Sequence, residues 1–169
     1  GSSLKDSNWL STFSRGQLKV TETEQGEFLP LAGDDDDDAP AVSFVGFSAS
    51  ERNVAGDPRA NEHAGLIAMH VIFVREHNRL AELIITQNDS LNDEQIYQLA
   101  RKINNAQMQR ITYSEYLPSL GIELADYEGF DETIDPRISN EFATLAFRMG
   151  HSQITEQTLR LNDIFLEHW

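Results

Sequence analysis

Two short segments hold the residue types from which a metal or redox site could be built. In Gly56-Asp57-Pro58-Arg59-Ala60-Asn61-Glu62 an arginine and a glutamate stand three apart at the mouth of a long apolar stretch, a spacing that projects both side chains from one helical face. A guanidinium fixed in a dry pocket stabilises negative charge as it develops on a departing oxygen. The plainer reading of Arg59 is an ion pair with Glu62 or Asp57 at a helix start, and of Glu62 a carboxylate that complements the helix dipole. In Phe147-Arg148-Met149-Gly150-His151 a helical stretch ends on a histidine. A neutral imidazole is a common metal ligand, although a histidine at a helix end, taken alone, is more often a cap or a core residue.

The elements that must position these residues are mainly helical. From Asn61 onward Leu66, Ile67, Met69, Val74, Leu80, Leu83 and Ile84 recur at three and four, with no proline before Pro118, which predicts a long, mostly buried helix to about Ile85. A second helix is expected after Asn92, whose side chain can accept from the first turn while Gln95 reaches back, with Ile96, Leu99, Ile103 and Ala106 on one face to roughly Tyr113. An acidic connection from Ile122 to Pro136 precedes a third helix from about Ser139 to Met149, with Phe142, Leu145, Ala146 and Met149 facing inward. Residues 1–58 are rich in glycine and proline and read as mainly loop, with a small hairpin pairing Leu18 to Val20 with Phe28-Leu29 across a polar turn from Thr21 to Gly26. One domain over 1–169 is expected, a loop-rich segment at 1–58 followed by a helical core at 59–169.

Composition sets outer bounds. The 169 residues carry 13 basic against 28 acidic side chains, a net charge of −15 that argues against nucleic acid or an anionic membrane as partner. Zero cysteines exclude disulfides, no run approaches a transmembrane length, and Gly1-Ser2-Ser3-Leu4 lacks the pattern of a signal peptide. Asp34 to Asp38 reads as a solvated, mobile loop, since a calcium loop needs alternating ligands and a sharp glycine turn. His63, His70 and His77 are spaced by seven on one face, about 10 Å apart by helical rise, too far for one zinc ion.

With Arg75-Glu76-His77-Asn78-Arg79 inside the long helix, the two segments closely resemble the animal-type haem peroxidases of the peroxidase-cyclooxygenase superfamily. The resemblance runs from about Gly1 to Leu161; Phe142 to Ser152 is similar to the family's proximal helix almost residue for residue. It implies a haem-peroxidase-like helical domain, with His151 as axial ligand of the haem iron and Arg59 as catalytic arginine. Glu62 matches the carboxylate that can form an ester with a haem b methyl, and His63 stands where some members have a methionine bonded to a vinyl. His70, Arg75, His77 and Arg79 become structural, a buried polar network tying the long helix to its neighbours. Arg148 occupies the position, three before the axial histidine, where the lipid-oxygenating branch places a radical-forming tyrosine, which favours peroxidase chemistry.

The resemblance also implies parts that nothing here matches. Members carry a distal histidine and a calcium loop upstream, and an asparagine partner of the proximal histidine far downstream, so the chain reads as a central, incomplete piece. The expected activity is peroxidase: hydrogen peroxide is reduced while a small organic donor or a halide is oxidised, weakly or not at all unless a further segment or chain supplies the distal histidine. A secreted location follows from the family; the lack of cysteine points to a disulfide-free lineage. Two rivals remain: a helical remnant kept for interaction that binds no haem, and an acidic helical domain that binds divalent cations through Asp34 to Asp38.

Overall fold

In the computed structural model, which describes residues 3–33, 36–42 and 52–153, the chain is mainly helical. Helix α1 (Leu4–Leu10) leads to an antiparallel hairpin of β1 (Thr21–Thr23) with β2 (Gly26–Phe28), then to the long helices α2 (Ala64–Gln87) and α3 (Asp93–Ile111). A π-helical turn (Thr112–Tyr116) and the single turn α4 (Leu117–Ser119) extend α3, and α5 (Asn140–Thr144) precedes a 3₁₀ segment, Ala146–Gln153. The chain divides into two compact units, Gly1–Leu124 and Ala125–Trp169. Among the described residues no helix is long and apolar enough to cross a membrane.

Local chemistry fixes most element ends. The Asn92–Gln95 capping box forms as expected: Gln95 N–H donates to Asn92 Oδ1 at 2.9 Å and Asn92 N–H to Gln95 Oε1 at 3.0 Å, with Asp93 and Glu94 in the positive first turn. The same device starts α1, where Ser3 and Asp6 cap each other, and the reading of residues 1–58 as loop missed it because aspartate stands in place of the usual glutamate or glutamine. The hairpin exists with a shifted register. Thr21 pairs with Phe28 and Thr23 with Gly26, so residues expected in the turn are strand, and Gly26 takes the positive φ of 103° that the return of the chain requires.

Helices α2 and α3 run antiparallel across a five-residue link. Leu80, Ala81 and Ile84 pack on Ile96 and Ala100 near the link, and the Asn104 amide donates to the Phe73 carbonyl at 2.9 Å further along. The buried seam of α3 is therefore Ile96, Ala100 and Asn104, not the expected Leu99 and Ile103, which are exposed. Likewise Leu66, Met69 and Leu83 of α2 are exposed, so that helix is less buried than its apolar content suggests. Periodicity reveals that a face is apolar; which of two apolar faces is covered depends on the partners present.

Residues 15–18 clasp this helix pair. Gly16 has φ 65°, and a Cβ there would fall 2.6 Å from the Tyr97 backbone nitrogen, so only glycine fits. Its N–H donates to Asp93 at 2.6 Å, and its carbonyl accepts from Nε2 of the buried His77 at 2.9 Å. Asn78 bonds both the N–H and the carbonyl of Leu18, at 2.8 and 3.0 Å, while Arg15 and Gln17 both reach Glu82. The expected polar network is real at His77 and also at Arg75, which donates to the Glu27 carbonyl and lies over the Phe28 ring. His70 and Arg79 depart from it. His70 turns back to the Leu66 carbonyl and Arg79 pairs with Glu76 in an exposed bridge, since the clasp covers neither position.

Asp36 and Asp38 are also more tied down than a mobile loop implies. Asp36 accepts from the Trp9 indole at 2.9 Å and Asp38 pairs with Lys5 at 3.1 Å, which fastens this stretch to α1; Asp34 and Asp35 lie outside the described residues.

Candidate functional site

The turn that carries Arg59 and Glu62 is held from behind by apolar packing. Ala60 is buried with Leu29, Ala55 and Val71, which pins the middle of the segment to the base of α2. Asn61 donates to the Asn53 carbonyl at 2.7 Å and accepts the Asn53 N–H at 3.1 Å; Val54 N–H donates to the Pro30 carbonyl at 2.7 Å. The flanks are thus bonded to two separate strands of chain, and the charged side chains at 59 and 62 are left facing water.

The segment is a turn and not the first turn of the helix, a correction to the expected common helical face. Helix α2 begins at Ala64 because His63 holds an extended backbone (φ −150°) and its Nδ1 accepts the Gly65 N–H at 2.9 Å. Arg59 and Glu62 remain neighbours by another route, since Glu62 N–H donates to the Arg59 carbonyl at 2.9 Å. Glu62 therefore lies outside α2 and does not complement its dipole from within the first turn.

Asp57 is the partner of Arg59. Its carboxylate accepts Nε at 2.9 Å and a terminal nitrogen at 2.6 Å, and also the Arg59 backbone N–H at 2.9 Å, so one side chain fixes both the turn and the guanidinium. The Arg59 guanidinium holds the Asp57 carboxyl well below the ordinary carboxylate range, and Asp57 in turn raises the pKa of Arg59. Arg59 stays 69% exposed at its side chain while so oriented. The motif contained the signal for this role, an Asp-x-Arg spacing with proline at the start of a turn, and the sequence reading gave Asp57 only as one possible ion-pair partner.

His151 lies in the other unit. The third helix is short there: α5 starts at the Ser139 cap, which accepts the Phe142 N–H at 3.2 Å, ends at Thr144, and passes into the 3₁₀ segment that contains His151. Phe142, Leu145, Ala146 and Met149 are exposed, where an inward face was expected; the Phe142 and Phe147 rings meet at 6.1 Å, and the tighter 3₁₀ winding takes Met149 off the α-helical stripe. Among the described residues the His151 ring makes no hydrogen bond, which leaves one nitrogen for a metal and the other for a polar partner. The structure thus places Arg59 and Glu62 together in one unit and His151 in the second. No group of three or more His, Asp or Glu side chains among the described residues could hold a metal ion, and axial ligation of a haem iron asks for only one imidazole.

Taken separately, the first unit offers a braced guanidinium and the second an exposed imidazole with open ring nitrogens, and each is a group type used in haem chemistry. The chain belongs to the animal haem peroxidase family, whose family model matches residues 1–168. It is 39% identical to the peroxidase mlt-7 of Caenorhabditis elegans over 92% of this chain and 21% of that protein, and 44% identical to human lactoperoxidase over 88% of this chain and 22% of that protein. Among solved structures it is similar to peroxidase A from Dictyostelium discoideum, with a TM-score of 0.73, 35% identity, and coverage of 84% of this chain and 27% of that one. The chain therefore spans a quarter or less of the length of these curated relatives.

Proposed function

We propose that this chain supplies the proximal ligand and part of the peroxide-binding side of a haem-dependent peroxidase site. His151 is the axial ligand, Arg59 the cation that polarises peroxide, and Glu62 the carboxylate that can be esterified to a methyl of haem b. The observation that supports this best is that the family match spans 1–168, a range that contains all three residues. Haem, when bound, supplies the two-electron reduction of hydrogen peroxide and recovers those electrons from a small organic donor or a halide.

The chain's own residues do the orienting. Asp57 sets the direction of the Arg59 guanidinium, so the cation is in place before charge develops and little reorganisation accompanies the reaction. His151 presents one ring nitrogen to iron, and a hydrogen bond to the other would raise its basicity. The remaining need is a proton shuttle beside the peroxide. The described histidines of the first unit are committed elsewhere: His63 caps α2, His70 bonds the Leu66 carbonyl and His77 is buried on Gly16. On the family reading a further segment or chain would supply the distal histidine, and this chain alone turns over weakly or not at all. A secreted or extracellular setting, calcium elsewhere in the assembled protein, and a single domain built from both units go with the same family reading.

A haem titration of the purified chain tests the proposal, following the Soret band and ferric spin state. A saturable high-spin spectrum that is lost in His151→Ala is expected. A spectrum indifferent to His151, or none, would overturn the axial assignment and favour the reading of a helical interaction remnant.

A further inference from the structure

The link between α2 and α3 carries Asn88-Asp89-Ser90, an asparagine with a hydroxyl residue two places on and no proline between them. That spacing is the acceptor pattern for N-linked glycosylation of a secreted chain, and it is used on surface loops. No other asparagine of the chain has serine or threonine two residues after it. A three-residue pattern recurs by chance, so its setting in the fold has to carry the argument.

The setting comes from the way α2 ends. Asn88 N–H donates to the Ile84 carbonyl at 2.9 Å, but its backbone is extended (φ −155°, ψ 99°), so the helix stops there and residues 86–90 are all exposed. The Asn88 side chain does no capping. Its Oδ1 accepts the Ser90 N–H at 3.1 Å and the Ser90 hydroxyl at 2.6 Å, while Nδ2 makes no hydrogen bond among the described residues. Asparagines that hold this fold together use that nitrogen: Asn78 Nδ2 donates to the Leu18 carbonyl at 3.0 Å and Asn104 Nδ2 to the Phe73 carbonyl at 2.9 Å. Both bonds to Asn88 Oδ1 come from a residue two places away, so the arrangement is open to the chain before the domain folds.

We propose that Asn88 is a site of N-linked glycosylation, with a polyprenyl-diphosphate-linked oligosaccharide as donor. A bond forms between Nδ2 and the anomeric carbon of the sugar as that carbon's bond to the diphosphate oxygen breaks. The diphosphate leaves with the bonding pair, the nitrogen gives one proton to a base of the transferase, and nothing is oxidised or reduced. Ser90 is a positioning residue, whose hydroxyl fixes the carboxamide that is presented to the donor. A glycan at this point keeps the link end of the α2–α3 pair in solvent in the mature protein. The inference rests on the extracellular setting of the reading above and is independent of haem.

The test is to express the chain behind a cleavable secretory leader in eukaryotic cells, with an Asn-Gly-Thr acceptor appended after its last residue, and to weigh the product before and after peptide N-glycosidase. The appended acceptor shows which molecules have met the transferase, and only those are scored. They should carry two oligosaccharides, both removed by the enzyme, and Asn88→Gln and Ser90→Ala should each carry one. Ser90→Thr, which keeps the hydroxyl on a stiffer side chain, should carry two. Asn88 is exposed, so Asn88→Gln should leave the far-UV circular dichroism spectrum unchanged. The proposal is overturned if the parent chain carries only the appended glycan, if Asn88→Gln carries two, or if Ser90→Ala is modified as fully as the parent. Since the leader is supplied, an unmodified Asn88 refutes the site without touching haem binding, and a failed haem titration leaves the site standing.

Discussion

Asp57 and Arg59 show how a residue pair can be visible in a sequence while its arrangement is not. The Asp-x-Arg spacing is visible in the sequence, but a common helical face was expected for Arg59 and Glu62, and the turn that carries them depends on Asn53 and on Leu29, which is distant in sequence. His77 is the opposite case, since the family resemblance marked it as structural and it is buried at 2% exposure. Burial lowers the pKa of His77, against a smaller raising effect of its bond to Gly16. A base with a depressed folded pKa gives stability that is full above its ordinary value of about 6.5 and lost as pH falls below it, because the unfolded chain takes up the proton first. Urea midpoints taken at stepped pH should therefore decline below about 6.5 in the wild type. In His77→Gln, which keeps a donor for the Gly16 carbonyl, that decline should be shallower.

At the scale of elements, caps were legible and faces were not. Asn92 and Gln95 act on their immediate neighbours, so their type and spacing sufficed. The exposure of Leu83 on α2 and of Leu99 and Ile103 on α3 could not be read, because both faces of each helix are partly apolar and only the partner decides which is buried. The clasp at residues 15–18 was likewise unseen; its signal was a single glycine among several in a loop-rich stretch. Gly16→Ala should destabilise the first unit by more than about 1 kcal/mol, since a left-handed backbone and a Cβ pressed on the Tyr97 nitrogen both oppose it. Thermal melts of the variant and of Gly33→Ala, where the new Cβ would lie 3.7 Å from its nearest neighbour, would separate the local effect from a general glycine effect.

Across the whole molecule, the mainly helical architecture and the family followed from the sequence, while the two-unit division did not. Nothing in the acidic stretch before Pro136 distinguishes a connection within one core from a boundary between two. The first unit owes its coherence to bonds that cross long sequence distances, and the Arg15–Glu82 pair adds little to them because water and salt screen exposed charges. The backbone amides of the clasp follow a different rule. Gly16 and Leu18 belong to no helix or strand, yet their N–H groups donate to Asp93 and Asn78 on the paired helices. In deuterated water these two loop amides should exchange at the slow pace of the α2–α3 pair, and Asn78→Ala should release Leu18 to the fast pace of its neighbours. A segment without regular structure would then report, proton by proton, how often the helical pair beneath it opens.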